Sequence, residues 1–195
     1  RQAQVAWADV PPSERAQVFT RLARLVFAER DRILDVIQAE TGKARLSAFE
    51  EVMDAARGVR VFAVQAPGQL RPARRRGALP LLTRTVEHHR PVGVVGIINP
   101  WNYPFNLPAT DAAQALLAGN AVLLKPDSRT PFTALLLAEL LADAGLPDGA
   151  FQVLPGSGAA LGPALVAHVD YLMFTGSTAT GRTLAQACAE RLIGF

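Results

Sequence analysis

Short apolar runs alternate with helix-length patterns from residue 92 onward, and this alternation restricts the fold more than any other feature of the chain. Strands buried on both faces and joined by crossover helices form a parallel sheet with right-handed connections. The sequence therefore predicts an α/β fold in which helices flank a parallel sheet. The expected strands cover residues 92–98, 121–124, 151–154 and 171–174, and the expected helices cover residues 107–117, 133–144, 159–167 and 178–191.

The first third of the chain has a helical pattern instead. A helix is expected to begin near Pro11-Pro-Ser-Glu14, with Ser13 as its N-cap, and to end at Thr41-Gly42. Its arginines are expected on a solvated outer face, whereas Trp7 and Phe19 are expected to pack in the core. A second helix is expected over residues 48–64, ending at Pro67-Gly68.

A polar connection separates these two patterns. Composition predicts a loop over residues 69–82, and weak alternation over residues 83–89 predicts an exposed strand. His88 and His89 lack metal-ligating residues at suitable spacing and are expected at the surface without a metal. We therefore expect one domain, in which residues 1–82 form a helical segment and residues 83–195 a strand–helix segment.

Composition limits the class of protein. Half of the residues are hydrophobic and 19% are charged, which favours a globular protein. No apolar run reaches the roughly 18 residues that span a bilayer, no secretory leader is visible, and one cysteine fits a reducing compartment. These features predict a cytoplasmic protein with no membrane partner. The basic cluster Arg71, Arg74, Arg75 and Arg76 lacks interleaved aromatic residues, which favours a solvated loop over nucleic-acid binding.

Four features fall at the ends of the four expected strands, where an open α/β sheet binds ligands. The amide of Asn102, fixed between prolines, suits a developing oxyanion, although a structurally satisfied asparagine explains it equally well. Lys125 can reach ribose hydroxyls or phosphate, or can extend along the surface. The strand–helix turns at residues 155–162 and 174–181 contain glycines that permit close backbone approach to a phosphate, with Ser177 or Thr178 as a cap.

Short motifs follow one another along the chain: Glu40-Thr-Gly-Lys43, Pro91-Val-Gly-Val-Val-Gly96, Pro100-Trp-Asn102, Ala118-Gly-Asn120, Lys125-Pro126 with Thr130-Pro131, Gly145-Leu-Pro147 and Phe174-Thr-Gly-Ser-Thr178. In this order they resemble the motifs of the NAD(P)-dependent aldehyde dehydrogenase superfamily, most closely a bacterial NADP-using succinate-semialdehyde dehydrogenase branch. The resemblance implies a Rossmann-like sheet, an incomplete cofactor-binding domain preceded by N-terminal helices, and a catalytic domain absent from this chain. It also implies a homodimer or homotetramer.

The resemblance also implies oxidation of an aldehyde to a carboxylic acid. In this chemistry a cysteine thiolate attacks the aldehyde, the amide of Asn102 holds the resulting oxygen anion, hydride passes to nicotinamide, and a glutamate activates water. By the same matching, Lys125 binds the adenosine ribose, Phe174 meets the nicotinamide side and Ser177 meets the pyrophosphate. The implied cofactor-binding residues are Pro100, Trp101, Lys125, Ser128, Gly158, Gly162, Phe174, Gly176 and Ser177.

The chain departs from the family pattern at its catalytic groups. The motif that carries the general-base glutamate is expected just beyond Phe195, and the nucleophilic cysteine further on. Cys188 lies in an expected helix without a nearby base and is expected to be a buried structural thiol. We expect this chain alone to lack aldehyde oxidation. A non-catalytic protein that binds a dinucleotide or a sister subunit remains the alternative.

Two further departures concern the cofactor and the substrate. Ser128 stands where many NAD-preferring members have a glutamate that binds the ribose hydroxyls. Without that carboxylate, a 2′-phosphate is not repelled, so NADP is favoured over NAD. Arg129 adds attraction. Thr110 stands where well-known succinate-semialdehyde enzymes place an arginine, and Asp111 beside it has the wrong sign. Either the substrate carboxylate is held elsewhere or the aldehyde differs.

Overall fold

The computed structural model describes residues 1–79 and 82–195. Pro80 and Leu81, part of the expected loop, lie outside the described residues. Within the described residues the elements, in chain order, are α1 (Gln2–Asp9), α2 (Pro12–Ala28), α3 (Arg30–Thr41), α4 (Arg45–Gln69), β1 (Ala73–Arg75), β2 (Thr85–Glu87), β3 (Val94–Ile98), α5 (Asn106–Leu117), β4 (Ala121–Lys125), α6 (Pro131–Asp143), β5 (Phe151–Val153), α7 (Gly158–His168), β6 (Tyr171–Phe174) and α8 (Thr178–Glu190).

The main sheet has four parallel strands in the order β5-β4-β3-β6, which confirms the predicted α/β fold. From β3 the chain adds β4 and β5 towards one edge and then returns to the other side of β3 as β6. Ligands of such sheets bind where the strand order reverses, here at the carboxyl ends of β3 and β6. Beyond β6, Gly194 forms an isolated parallel bridge with Tyr171.

Two hydrophobic cores lie on opposite faces of the sheet. Val95 and Ile97 of β3 belong to a large core that also takes buried side chains from α1 to α6. Val94, the residue before Val95, points to the other face and belongs to a small core with residues of β6, α7 and α8. Side chains alternate between the two faces along a strand, so the apolar run of β3 supplies both cores. Gly96 keeps space for this packing, because a Cβ there would lie 3.0 Å from Leu172 Cδ1.

The N-terminal helices differ from the sequence prediction in their boundaries. Ser13 does not cap α2; Pro11 is the cap residue and Pro12 occupies the first turn, where its missing N–H has no intrahelical acceptor to lose. The expected long helix divides into α2 and α3 at Glu29 and ends at Gly42, whose positive φ of 68° favours glycine. Helix α4 continues past Pro67, where the sequence predicted its end, to Gln69. After the proline, helical hydrogen bonds resume, and the Leu70 N–H donates to the Ala66 carbonyl at 2.9 Å.

The prediction of solvated arginines on α2 was wrong for Arg15. This side chain is only 5% exposed, and its Nε donates to the Leu117 carbonyl at the end of α5 at 2.9 Å. Its Nη1 donates to the Ala8 and Val10 carbonyls. Arg21 similarly donates to the Ala144 carbonyl just after α6 at 2.7 Å. Carbonyls at helix ends carry partial negative charge and lack intrahelical donors, which is why arginines bind there.

The expected loop over residues 69–82 contains a strand that the sequence analysis missed. β1 pairs with β2 in an antiparallel ribbon, and Arg75 of β1 forms an ion pair with Glu87 of β2. The arginine-rich sequence of β1 has a low intrinsic preference for a strand and therefore predicted a loop. Pairing with β2 overrides that preference in the folded chain. The ribbon confirms the exposed strand expected within residues 83–89, and His88 and His89 are exposed. Residues 1–79 and 82–195 contain no cluster of metal-ligating side chains. No helix in this part is long and apolar enough to cross a membrane.

Candidate active site

Three of the sequence features meet at the carboxyl edge of the sheet because of the strand register. Ile98, the last residue of β3, pairs with Lys125 of β4 on one side and with Phe174 of β6 on the other. The Thr175 N–H donates to the Ile98 carbonyl at 3.0 Å, so the loop after β6 leaves beside the loop after β3. The loop that carries Asn102 therefore begins between the ends of β4 and β6.

Asn102 lies exposed in the turn between β3 and α5. Its backbone carbonyl accepts a hydrogen bond from Lys43 Nζ at 2.7 Å. Its side-chain amide makes no hydrogen bond to any residue within 1–79 or 82–195. The amide is thus available to a ligand, and the interpretation of Asn102 as a structurally satisfied side chain loses support.

The beginning of this turn is fixed by a buried side chain. Asn99 is 3% exposed, and its Nδ2 donates to Asp111 Oδ2 of α5 at 2.9 Å. Burial raises the pKa of Asp111, which the hydrogen bond from Asn99 partly opposes. Thr110 Oγ1 donates to the Asn106 carbonyl at 2.7 Å, and Thr110 also contacts α4 at Gly58. Because Thr110 carries a hydroxyl and Asp111 a carboxyl group, neither residue offers a cation to a substrate carboxylate.

Lys125 is buried at the end of β4, only 5% exposed, so the surface alternative for this lysine was wrong. Its Nζ lies 3.7 Å from the point where a Cβ on Gly158 would stand, at the start of α7. Burial lowers the pKa of Lys125, and the nearby charge of Asp127 opposes this shift. The structure thus brings Lys125 and Gly158 together, because β4 and β5, the strands that precede them, are neighbours in the sheet. An ammonium beside a helix N-terminus forms a cationic site for a polar ligand.

Ser128 is exposed in the loop after β4, and Arg129 beside it is also exposed. The Arg129 guanidinium pairs with Asp127 at 3.1 Å and stacks over the Trp101 ring, 4.5 Å from its centroid. The loops after β3 and β4 are therefore in contact through this cation–π pair. Burial acts to raise the pKa of Asp127, but the hydrogen bonds and charge of Arg129, together with the charge of Lys125, outweigh it and hold this pKa below its ordinary value. Pro100, next to Trp101, is partly buried.

Of the two predicted caps, Ser177 and Thr178, it is Ser177 that caps α8, and its Oγ accepts from the Thr180 N–H at 3.3 Å. Phe174 lies against Gly176, where a Cβ would stand 2.5 Å from its ring, and is stacked on Phe195 with 6.4 Å between centroids. A groove of about 360 Å³ runs along these residues and the first turns of α8. Gly162 is buried, and a Cβ there would lie 3.8 Å from Leu184 of α8, so its contact is with the protein.

A larger cavity of about 690 Å³ lies elsewhere, between α2 and α4, and is lined by Phe27, Arg57 and Val61 among others. It contains none of the sequence-predicted site residues. We place the site at the sheet edge, because the strand register, the free amide of Asn102 and the buried Lys125 converge there.

Cys188 is buried in α8, as expected of a structural thiol. Burial raises the pKa of the thiol, which favours the protonated form, and the charge of Arg191 only partly opposes this. A protonated, buried thiol is a poor nucleophile.

Glu51 was not predicted as a site residue, and Lys43 was named in the sequence only as part of the motif Glu40-Thr-Gly-Lys43. Both contact the Asn102 turn. Glu51 could have been found because it interrupts the buried stripe of α4 formed by Ala48, Val52 and Ala55. A charged residue on such a stripe requires a partner.

Fold and site together define an α/β protein with a candidate ligand site at the carboxyl edge of a parallel sheet, and comparison with known proteins narrows this class of protein. The "Aldehyde dehydrogenase family" pattern matches residues 1–194. The chain belongs to the aldehyde dehydrogenase family.

Three relatives illustrate the match. The Mycolicibacterium smegmatis protein named "Putative succinate-semialdehyde dehydrogenase (NADP(+))" is 55% identical over 195 residues, all of this chain but 38% of that protein. The crystal structure of an E. coli NADP dependent enzyme superposes with a TM-score of 0.94 at 35% identity, covering 98% of this chain and 40% of that one. PnpE in complex with nicotinamide adenine dinucleotide gives a TM-score of 0.93 at 30% identity over 99% of this chain and 40% of its own. The chain thus spans about two fifths of these proteins.

Proposed function

We propose that this chain is the incomplete cofactor-binding domain of an NADP-preferring aldehyde dehydrogenase. The intact enzyme would oxidise an aldehyde to its carboxylic acid, and the relatives' names favour succinate semialdehyde. One observation carries the proposal. The register at Ile98 sets the start of the Asn102 turn between Lys125 and Phe174, which are proposed to be the polar and the aromatic parts of a dinucleotide site.

The residues present fit a dinucleotide. The Lys125 ammonium beside Gly158 suits ribose hydroxyls, since the glycine leaves room where a side chain would stand. The free amides at the capped start of α8, near Ser177, suit a pyrophosphate. The remaining proposed contacts are Pro100, Trp101, Ser128, Gly162, Phe174 and Gly176, of which Gly162 acts through packing. When bound, the nicotinamide would accept hydride from the substrate.

Asn102 is proposed to donate its side-chain amide to the oxygen anion that develops on the aldehyde carbon. A fixed donor of this kind contributes about 2.7–4 kcal/mol to transition-state binding. In a full-length enzyme that contains residues 1–195, Asn102→Ala should therefore lower kcat by about 10²–10³-fold with little change in NADP affinity. Unchanged turnover would remove Asn102 from the mechanism.

The proposed preference for NADP rests on Ser128 and Arg129. A carboxylate about 4 Å from a 2′-phosphate would repel each phosphate charge by roughly 1 kcal/mol in water and about 4 kcal/mol in a protein-like medium. We expect Ser128→Glu to weaken NADP binding at least tenfold while leaving NAD binding equal or tighter, as measured by fluorescence titration. Ser128→Gln is the control, because it has similar size and no charge. A parent enzyme that strongly prefers NAD would contradict the proposal.

The substrate is tested separately, because Thr110 and Asp111 supply no cation for a carboxylate. Steady-state kcat/KM values for succinate semialdehyde and for uncharged aldehydes of similar length decide between them. A clear preference for succinate semialdehyde supports the proposal and means that a residue other than Thr110 and Asp111 binds the substrate carboxylate. Equal values would favour a general aldehyde dehydrogenase.

We also propose that the intact enzyme is a cytoplasmic homodimer or homotetramer, with the β1–β2 ribbon helping to join subunits. The ribbon projects exposed arginines and contributes to neither hydrophobic core. Light scattering of the intact protein would give the subunit number.

A further inference from the structure

The Asn102 turn is held at two points by a pair of charged residues from outside it. Lys43 lies in the connection between α3 and α4, and its Nζ donates to the Asn102 carbonyl at 2.7 Å. The same ammonium lies 4.6 Å from the centroid of the Tyr103 ring. Lys43 therefore contacts both central residues of the turn, through a hydrogen bond and a cation–π interaction.

Glu51 of α4 holds the other end of the turn. Its side chain is 0% exposed, and its Oε1 accepts from the backbone N–H groups of Phe105 at 2.9 Å and Asn106 at 3.2 Å. These amides open α5, where a carboxylate both satisfies donors and complements the helix dipole. Phe105 is itself fully buried, so this end of the turn cannot shift without disturbing the core.

The two anchors are joined, because Glu51 Oε2 forms an ion pair with Lys43 Nζ. One charged unit thus links α4, the start of α5 and the carbonyl of Asn102. Fixing that carbonyl fixes the peptide plane that follows Asn102 and restricts where its side chain can point. Both ions are largely removed from water, a costly arrangement that gives little net stability and is better suited to holding one geometry.

We infer that Lys43 and Glu51 are positioning residues that aim the side-chain amide of Asn102 at the reacting oxygen. The inference rests on the oxyanion-binding role proposed for Asn102. Neither residue needs to touch substrate or cofactor; each acts by keeping the donor in place before the reaction. Because a misplacement of about 1 Å costs up to 10²-fold in rate, losing the Lys43 contact should lower kcat by about 10- to 100-fold.

A double-mutant cycle in a full-length enzyme containing residues 1–195 tests this inference. The variants are Lys43→Met, Asn102→Ala and the two combined, with kcat, aldehyde KM and NADP dissociation constant measured for each. We expect Lys43→Met to lower kcat in the parent but to have almost no further effect once Asn102 is alanine. We expect Lys43→Arg, which keeps a charge and donors, to recover part of the loss. Arg45→Met is the matched control, since Arg45 is a nearby exposed residue paired with Asp35.

A merely structural role predicts a different pattern. Lys43→Met would then lower the melting temperature while kcat per NADP-binding site stayed near the parent value, which would overturn the inference. An equal loss of kcat in both backgrounds would also overturn it. If Asn102→Ala itself leaves kcat unchanged, the proposed function of Asn102 has failed, and this inference fails with it.

Glu51→Gln keeps the test decisive if Lys43→Met does not fold. The amide oxygen of glutamine can still accept from Phe105 and Asn106, whereas its NH₂ group cannot accept from Lys43. This variant therefore keeps the start of α5 and breaks the ion pair. We expect it to give the same loss of kcat, absent in the Asn102→Ala background; an unchanged kcat would overturn the inference.

Discussion

The two faces of the central sheet differ in how firmly they are covered. On one face, α1 to α6 bury a continuous core, and buried polar groups fasten the helix ends to it. On the other face, among residues 1–79 and 82–195, α7 and α8 cover the strands over a small core that includes Leu172 and Leu184. The aromatic pair Phe174 and Phe195 remains partly open at the edge of this second face.

This difference separates two parts of the proposed site. The Asn102 turn is anchored in the well-packed face through Glu51 and Lys43, whereas Gly176 and Ser177 belong to the lightly covered face. A donor that must be fixed before a reaction benefits from a rigid support. A groove that admits a large cofactor is compatible with less packing. Fewer buried contacts also mean that the second face should open locally at lower free energy.

Removing the same side chain from each core is the strongest test of the comparison. Leu22 and Leu172 are both 0% exposed, the first in the large core and the second in the small one. Leucine-to-alanine changes cost about 2–5 kcal/mol, depending on how far the surroundings collapse into the cavity. We expect Leu22→Ala near the upper end and Leu172→Ala near the lower end, measured by urea unfolding. Equal costs would show that the two faces are equally well packed.

A smaller effect is expected from the buried arginine that fastens the large face. Arg15→Met removes the hydrogen bonds to the carbonyls of Leu117, Ala8 and Val10. Hydrogen bonds involving a charged group contribute about 1.5–3 kcal/mol, and we expect a loss of unfolding free energy in this range. Arg24→Met on the exposed side of the same helix is the control and should be near neutral. A neutral Arg15→Met would mean that apolar packing alone holds this face.

The sheet could be predicted from sequence because its signal is local. The four main strands are short apolar runs, and each begins and ends within about two residues of its expected position. The site residues could be placed at strand ends for the same reason. The meeting of Lys125 with Gly158 follows from strand order, which the pattern alone does not specify.

What the sequence analysis missed depends on contacts between residues far apart in the chain. β1 exists because β2 pairs with it, and its own arginines disfavour a strand. Arg15 is buried because helix ends from elsewhere supply carbonyls, although its position on α2 suggested solvent. Glu51 and Lys43 act on a turn more than fifty positions away. Local periodicity carries no information about such partners.

The cap of α8 offers a finer test of the weakly covered face. Ser177→Ala removes the acceptor for the Thr180 N–H and should cost about 1 kcal/mol. Ser157→Ala is a matched control, because Ser157 precedes α7 without making a side-chain cap bond. Hydrogen exchange should show faster opening of α8 in the first variant and little change in the second. Equal behaviour of the two variants would show that the Ser177 cap does not stabilise this face.

The smallest expected effect concerns the carboxylate of Asp170, which lies at the amino end of β6. The hydrogen bond from Arg1 is the largest cause that lowers the pKa of Asp170, burial opposes it, and the Val94 N–H adds to it at 2.8 Å. A carboxyl whose folded pKa lies below its ordinary value of 3.8 stabilises the fold above that value, and this stabilisation is lost as pH falls through the folded pKa. We therefore expect Asp170→Asn to lower the unfolding free energy slightly at pH 7, with the difference from the parent shrinking below about pH 4 in urea unfolding curves. Asp148→Asn, which changes an exposed carboxylate by the same charge, is the matched control. If the difference in unfolding free energy between the variant and the parent stayed constant with pH, Asp170 would contribute through the shape of its side chain and not through its charge. Charge would then contribute little to the stability of the lightly covered face.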